Sequence, residues 1–281
     1  MTAAAPVTRS RRPRRAGVTT GVPAVLVVPA LLGATFLLLP SLSLLVDAPW
    51  RTLPDLLTTS QVRDALRLSL ICATTATGLA LVLGVPLAWV LARMRFRGVA
   101  LLRAAVLLPL VLPPVAGGVA LLAAFSRVGL VGTPIYRVTG FQLPFTTWGV
   151  IVAETFVAMP FLVVSAEGAF RTVDARLEEA ATTLGASRTT VFRRVVVPTV
   201  APALVAGSVL CWARALGEFG ATVTFAGNLQ GTTQTMPLLI SLSLDVSLDQ
   251  ANALAQVLMA LSVLVLALLR DRWLRTPSAS S

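Results

Sequence analysis

Apolar runs of membrane-crossing length dominate the chain. Six stretches, about Val22–Val46, Ala65–Ala92, Val99–Phe125, Trp148–Phe170, Val195–Phe219 and Ala251–Leu269, carry few or no charges. Each reaches or approaches the roughly 20 residues that a helix needs to cross a 30 Å hydrocarbon core. Only 12% of the residues are charged while 56% are hydrophobic, and a soluble domain carries about twice that share of charge. The expected fold class is an all-α integral membrane protein with six transmembrane helices. It divides into an N-terminal arm (1–21), a membrane domain (22–269) and a short tail (270–281). Pro109, Pro113 and Pro114 interrupt the third run, with Gly117 and Gly118 just after them. That helix should be kinked or locally unwound, which a membrane tolerates where neighbours or water satisfy the freed backbone.

The connectors fix an orientation. All 23 basic residues are arginine. Arg9, Arg11, Arg12, Arg14, Arg15, Arg93, Arg95, Arg97, Arg171, Arg176, Arg188, Arg193, Arg194, Arg270, Arg272 and Arg275 fall on one side, and only Arg51, Arg63, Arg67, Arg127 and Arg137 on the other. Arginine-rich loops stay inside, so both termini are expected in the cytoplasm. Arg11, Arg12, Arg14 and Arg15 ahead of the first run resemble the start of a cleaved signal. The run is too long and lacks a convincing small-residue cleavage site, so it reads as an uncleaved helix.

The formal charge of +11 does not point to nucleic acid, because most arginines sit beside apolar segments. Lysine is absent, and a standard phosphate-binding GxxxxGK[ST] loop needs one, so ATP hydrolysis would have to come from another subunit. Histidine is absent too, which removes Ser-His-Asp and Cys-His catalysis and HExxH metal sites. Cys72 and Cys211 lie inside apolar runs and read as small hydrophobes, not as a disulfide or a metal pair. No catalytic or metal-ligating residue is expected.

The connector around Ala226–Gln250 has no arginine and reads GNLQGTTQTMP. It suits either a plain polar connector or a gate element built on turns.

The basic loop from Arg171 to Arg194 is more specific. Leu177, Ala180, Ala181 and Leu184 recur at i, i+3, i+4 and i+7, the spacing of one helical face. Gly185 can end that helix in a left-handed conformation, having no Cβ to clash. Ser187 can cap a second helix, although Thr190 leaves the capping box incomplete. The small apolar face must be covered by this chain's own helices, by lipid headgroups or by a partner.

Glu179-Ala180-Ala181, three residues, Gly185, nine residues, then Val195-x-Val197-Pro198 resembles the EAA loop of ATP-binding-cassette importer permeases. Val195 and Val197 are aliphatic departures from its I-x-L-P ending. The resemblance runs from about Ala65 to Trp273. Leu216–Ala221 (LGEFGA), Thr224–Asn228 (TFAGN), Leu108-Pro109, Leu112–Pro114 and Thr155–Pro160 (TFVAMP) are most similar to the molybdate permeases. Sulfate/thiosulfate permeases are close relatives, and Phe219 stands where they typically carry tyrosine. The resemblance implies a homodimeric permease without cofactor, two copies of a cytoplasmic ATPase that binds the ATP, and an extracytoplasmic oxyanion-binding protein. Glu179, Ala180, Ala181, Gly185 and Pro198 would couple to the ATPase. The tail is too small to bind an oxyanion.

Five charges fall in or near the spans: Arg103, Glu154, Glu167, Arg214 and Glu218. A charge at mid-membrane costs on the order of 2.5–3.5 kcal/mol on insertion scales, so such groups normally face protein or water. Arg214 and Glu218 are i, i+4 and can share a face. A straight helix from Pro198 would carry Glu218 about 30 Å along, close to the outer surface where exposure is cheap. Arg214, Glu218 and Phe219 are candidates for an outer gate or pathway, set against a plain structural pair. Arg103 and Glu167 lie near the inner interface and can snorkel, with no role assigned. An ion-driven secondary transporter would want paired broken helices and midplane ionisable groups; only one run is strongly interrupted.

Overall fold

The computed structural model describes residues 24–47, 49–50 and 53–273, and all regular structure among them is helical. The expected arm and the last residues of the expected tail lie outside the described residues. The chain forms two units, Met1–Val46 and Asp47–Ser281. The first holds helix α1 (Ala24–Val46), apolar all round as a membrane span must be.

The second unit holds α2 (Leu53–Thr58), α3 (Ser60–Arg93), α4 (Val99–Val111), α5 (Pro114–Phe125), α6 (Gly132–Thr139) and α7 (Thr147–Thr172). It continues with α8 (Ala175–Thr183), α9 (Arg188–Val191), a π-helical turn (Phe192–Val196) and α10 (Val197–Leu216). It closes with α11 (Gly220–Ala226), α12 (Met236–Leu244) and α13 (Leu248–Trp273).

Its centre is the packing of α3, α7 and α10. The sequence puts small residues on the meeting faces: Cys72, Ala73, Ala76 and Ala80 of α3 pack with Ala158 and Leu162 of α7 and Cys211 and Ala215 of α10. Small side chains let helix axes approach closely, which is how helices associate where lipid removes the hydrophobic driving force. Both cysteines are free and fully buried in this cluster, as small hydrophobes would be.

Five described segments are long and apolar enough to cross a membrane: α1, α3, α7, the run from α9 through α10, and the part of α13 up to Val265. The expected third span is instead two helices, α4 of 13 residues and α5 of 12 residues. Leu112 and Pro113 between them are extended, with ψ of 134° and 136°. Each precedes a proline, whose ring disfavours the α conformation in the residue before it. The freed end is held by close packing: a Cβ on Gly118 of α5 would lie 2.5 Å from Thr224 Cβ of α11, and one on Gly220 of α11 2.7 Å from Pro114 Cβ. Only glycine permits that approach.

The segment after α11 is solvated over residues 228–232 but folds inward beyond them. Thr233, Gln234 and Thr235 are buried, and α12 buries Met236, Leu238 and Leu239. Several of its polar groups are paired inside the protein, while the buried Thr235 Oγ1 has no hydrogen-bond partner among the described residues. Gln61 Nε2 donates to Gln234 Oε1 at 3.0 Å, Gln234 Nε2 donates to Asn228 Oδ1 at 2.9 Å, and the Met236 N–H donates to Ser69 Oγ at 2.7 Å. Threonine and glutamine read as loop chemistry in the sequence, whereas here Gln234 links Gln61 to Asn228 and Thr233 Oγ1 accepts from the Leu229 N–H at 2.9 Å, in a segment folded back into the bundle.

Candidate functional site

The helix-glycine-helix reading of the basic loop holds in detail. The Asp174 carboxylate caps α8 by accepting from the Arg176 N–H at 3.0 Å. Gly185 stands at φ +83°. The Gly185 N–H donates to Thr182 O at 2.9 Å and the Ala186 N–H to Ala181 O at 3.1 Å, which is the Schellman end of a helix. Ser187 Oγ then accepts from the Thr190 N–H at 3.3 Å to start α9. Pro198 follows the π turn as the second residue of α10. It has no N–H for a bond to the preceding turn, and the widened winding before it accommodates the ring.

The two adjacent acids of the loop have opposite situations. Glu178 forms an ion pair with Arg93 at the end of α3, and the same guanidinium donates to Val173 O at 3.4 Å. Arg93 in turn lies 5.3 Å over the Trp89 ring. Trp89 meets Phe170 edge-on at 5.2 Å and Phe192 at 5.1 Å. α8 is thus mounted on an aromatic base contributed by α3, α7 and the π turn. Glu179, about 100° further round the helix, is exposed and its carboxylate has no partner among the described residues. Ala180 is exposed beside it, Leu177 is 48% exposed and Leu184 88% exposed. The periodic apolar face is therefore left largely uncovered by this chain, and no residue of α8 is buried. Arg93 and Glu178 are 85 residues apart, and nothing in the sequence marked them as partners.

At the other end of α10, Arg214 Nη2 lies 2.5 Å from Glu218 Oε2, as the i, i+4 spacing suggested. Glu218 is only 1% exposed, because α10 stops at Leu216 and the chain turns at Gly217 instead of running straight on. Glu218 Oε1 accepts from the Ala221 N–H at 2.8 Å, capping α11. Phe219 beside it is 39% exposed. Glu154 of α7 is equally buried, its Oε2 has no hydrogen-bond partner among the described residues, and it lies within electrostatic reach of Glu218.

Arg103 and Glu167 do not snorkel separately. Arg103 Nε and Nη2 donate to Glu167 Oε1 at 3.1 and 2.8 Å, and Arg171 Nη2 donates to the same oxygen at 2.6 Å. Among the described residues no cluster of three or more His, Cys, Asp or Glu is placed to hold a metal ion.

Residues 80–276 match the family model of the binding-protein-dependent transport system inner membrane component. The chain belongs to this permease family. It is 47% identical over 246 residues, 88% of this chain and 93% of the relative, to the molybdenum transport system permease protein ModB of Mycobacterium tuberculosis. It is 36% identical to the protein of the same name in Escherichia coli, over 75% of this chain and 92% of that one. The sulfate transport system permease protein CysT of Salmonella typhimurium is 37% identical, over 84% and 87% of the two chains. The resemblance carried by the EAA and LGEFGA segments is borne out by these relatives.

The permease fold is shared with solved structures. A bacterial ABC transporter that imports the acidic polysaccharide alginate aligns with a TM-score of 0.68 and 17% identity, covering 91% of this chain and 95% of that one. The MetNI methionine ABC transporter aligns with a TM-score of 0.57 and 18% identity, over 75% and 96%. The permease is a multi-pass inner-membrane protein. The match begins at residue 80, within α3, and so includes the α8 mount and the Arg214–Glu218 turn.

Proposed function

We propose that this permease is the membrane subunit of an ATP-driven importer that carries molybdate, and tungstate with it, into the cytoplasm. The observation that carries the coupling is α8: a capped helix, fixed at Glu178 and uncovered at Leu177, Glu179, Ala180 and Leu184. A helix so mounted transmits force from a partner into α3, α7 and α10, with which its base is continuous. Relatives named for molybdenum transport, 47% identical over 88% of the chain, support the substrate.

Glu179, Ala180, Ala181, Gly185 and Pro198 form the ATPase-facing element in this reading, and the ATP is bound and hydrolysed by the partner, not by this chain. The permease works as a homodimer and receives the oxyanion from an extracytoplasmic binding protein. The arginines of Arg93–Arg97 and Arg171–Arg194 mark the α8 end as cytoplasmic, with both termini on that side. Arg214, Glu218 and Phe219 brace the opposite turn as part of the outer gate. Replacing Arg214 and Glu218 by neutral residues that leave uptake and ATPase activity unchanged would remove that role.

The test uses proteoliposomes that contain the permease and its ATPase, with the binding protein outside. Molybdate uptake should require ATP and stop on introducing Glu179→Trp. Uptake that persists in the variant with the ATPase still bound, or that follows a proton gradient without ATP, would sink the reading. A second substrate reading, sulfate or thiosulfate, is favoured by the 37% identity to the sulfate permease. Competition of labelled molybdate uptake by sulfate and by tungstate separates the two.

A further inference from the structure

At the end of the bundle that carries α8, two adjoining cavities of about 360 and 330 Å³ share Leu91, Arg103 and Arg171 in their walls. Arg95 lines the second. The first continues along apolar side chains, among them Val106 and Val164. Three arginines and one carboxylate, Glu167, therefore line the two cavities together, a surplus of two positive charges.

The arrangement of donors sharpens this. Arg103 and Arg171 are held side by side because both bond to the single oxygen Glu167 Oε1. Arg103 is fixed further by a bond from Nη2 to Leu91 O at 3.2 Å. A guanidinium has five N–H donors. These bonds leave Nη1 of Arg103 and most of the Arg171 fork without a partner among the described residues. Arg95 is exposed and has no partner among the described residues. Planar guanidinium forks match the oxygens of a phosphate, and the ordering of two of them has been met by Glu167 before any ligand arrives.

We propose that these cavities bind the phosphate of an anionic phospholipid, with its acyl chain against Val106 and Val164. The chemistry in common with any tetrahedral oxyanion is the arginine fork; the adjoining apolar arm is what selects a lipid. Basic pockets between spans near the cytoplasmic face serve this purpose in general. The site lies beside the α8 mount, since Arg171 is on the last turn of α7 and the α3 end carries both Leu91 and Arg93. The proposal rests on the membrane fold and is independent of which solute is carried.

The test titrates the full-length permease, purified in mild detergent, with phosphatidylglycerol or phosphatidylcholine and counts retained lipid by native mass spectrometry. One phosphatidylglycerol per chain should survive conditions that strip phosphatidylcholine. Arg95→Gln keeps every ion pair and should weaken phosphatidylglycerol about fivefold, and adding Arg171→Gln about 25-fold, at roughly fivefold per arginine. Val164→Phe fills the apolar arm with all charges intact and should lower phosphatidylglycerol retention alone. Equal retention of both lipids, or retention unchanged in these variants, overturns the proposal. So does binding of inorganic phosphate or molybdate at this site in place of lipid, since the ligand is then a free oxyanion.

Discussion

The two ends of α10 handle charge in opposite ways. Near α8, Arg93, Glu178, Arg103, Glu167 and Arg171 form ion pairs that remain partly exposed, with side-chain exposures from 12% to 52%. At the far end Glu218 is sealed, 1% exposed, with Glu154 buried near it and threonines packed around the α11–α12 connection. Exposed pairs in high dielectric contribute little stability, but they position a surface element that can meet a partner. A buried pair contributes mainly through the penalty for breaking it. The α8 end keeps its ion pairs within reach of solvent, and the far end seals its carboxylates away from it.

Substitutions at both ends test that contrast. The largest effect is expected from Arg214→Ala, which strands the buried Glu218 carboxylate. Loss of about 3 kcal/mol is expected, at the low end for a broken buried pair because Arg214 is itself 28% exposed. Thermal unfolding of the purified permease in detergent reads it. Arg214→Leu with Glu218→Gln removes both charges but keeps an acceptor for the Ala221 N–H, and should recover most of the loss. If the double variant is no better than the single, the charge account of this turn is wrong.

Gly185→Val comes next. A β-branched residue at φ +83° costs about 1–2 kcal/mol. It should abolish the Schellman end and cut ATP-driven uptake about tenfold while the chain still inserts in the membrane. Wild-type uptake in this variant would show that the end of α8 need not be fixed. Arg93→Gln removes a pair whose side chains are 27% and 26% exposed and should cost about 1 kcal/mol or less. Hydrogen exchange across residues 175–183 should nevertheless quicken relative to α7, because the mount of α8 is lost. Leu184→Ala should leave stability within about 0.5 kcal/mol, as expected for a residue 88% exposed. Co-purification of the ATPase should fall in the same variant; a fall in stability without a change in co-purification would assign Leu184 to packing.

Legibility in the sequence followed the range of the interactions. The loop from Leu177 to Thr190 is readable almost residue by residue, because the Ser187 cap, a left-handed glycine and an i, i+4 face are decided within one or two helical turns. The break at Leu112–Pro114 was readable for the same reason. The burial of Glu218 is not legible in this way, because it depends on the turn at Gly217 and on α11 docking against α5 through Gly118 and Gly220. α12 was missed: Met236–Leu244 is only 9 residues long and follows a stretch whose threonines and glycines read as a turn.

The sequence by itself determined the membrane class, the helical grammar of the basic loop and the family. Each is written in hydrophobic run length or in fixed spacings along the chain. Tertiary structure decided which of two neighbouring glutamates is tied down, that Glu167 gathers two arginines, and that Glu218 is sealed. The Arg93–Glu178 and Arg103–Glu167 pairs join residues 85 and 64 positions apart, and the sealing of Glu218 depends on how helices pack; no local pattern encodes these, whereas Arg171 meets Glu167 at i, i+4. The apolar face of α8 shows the division most plainly: its period was legible in the sequence, but only the packed bundle showed that this chain leaves it open.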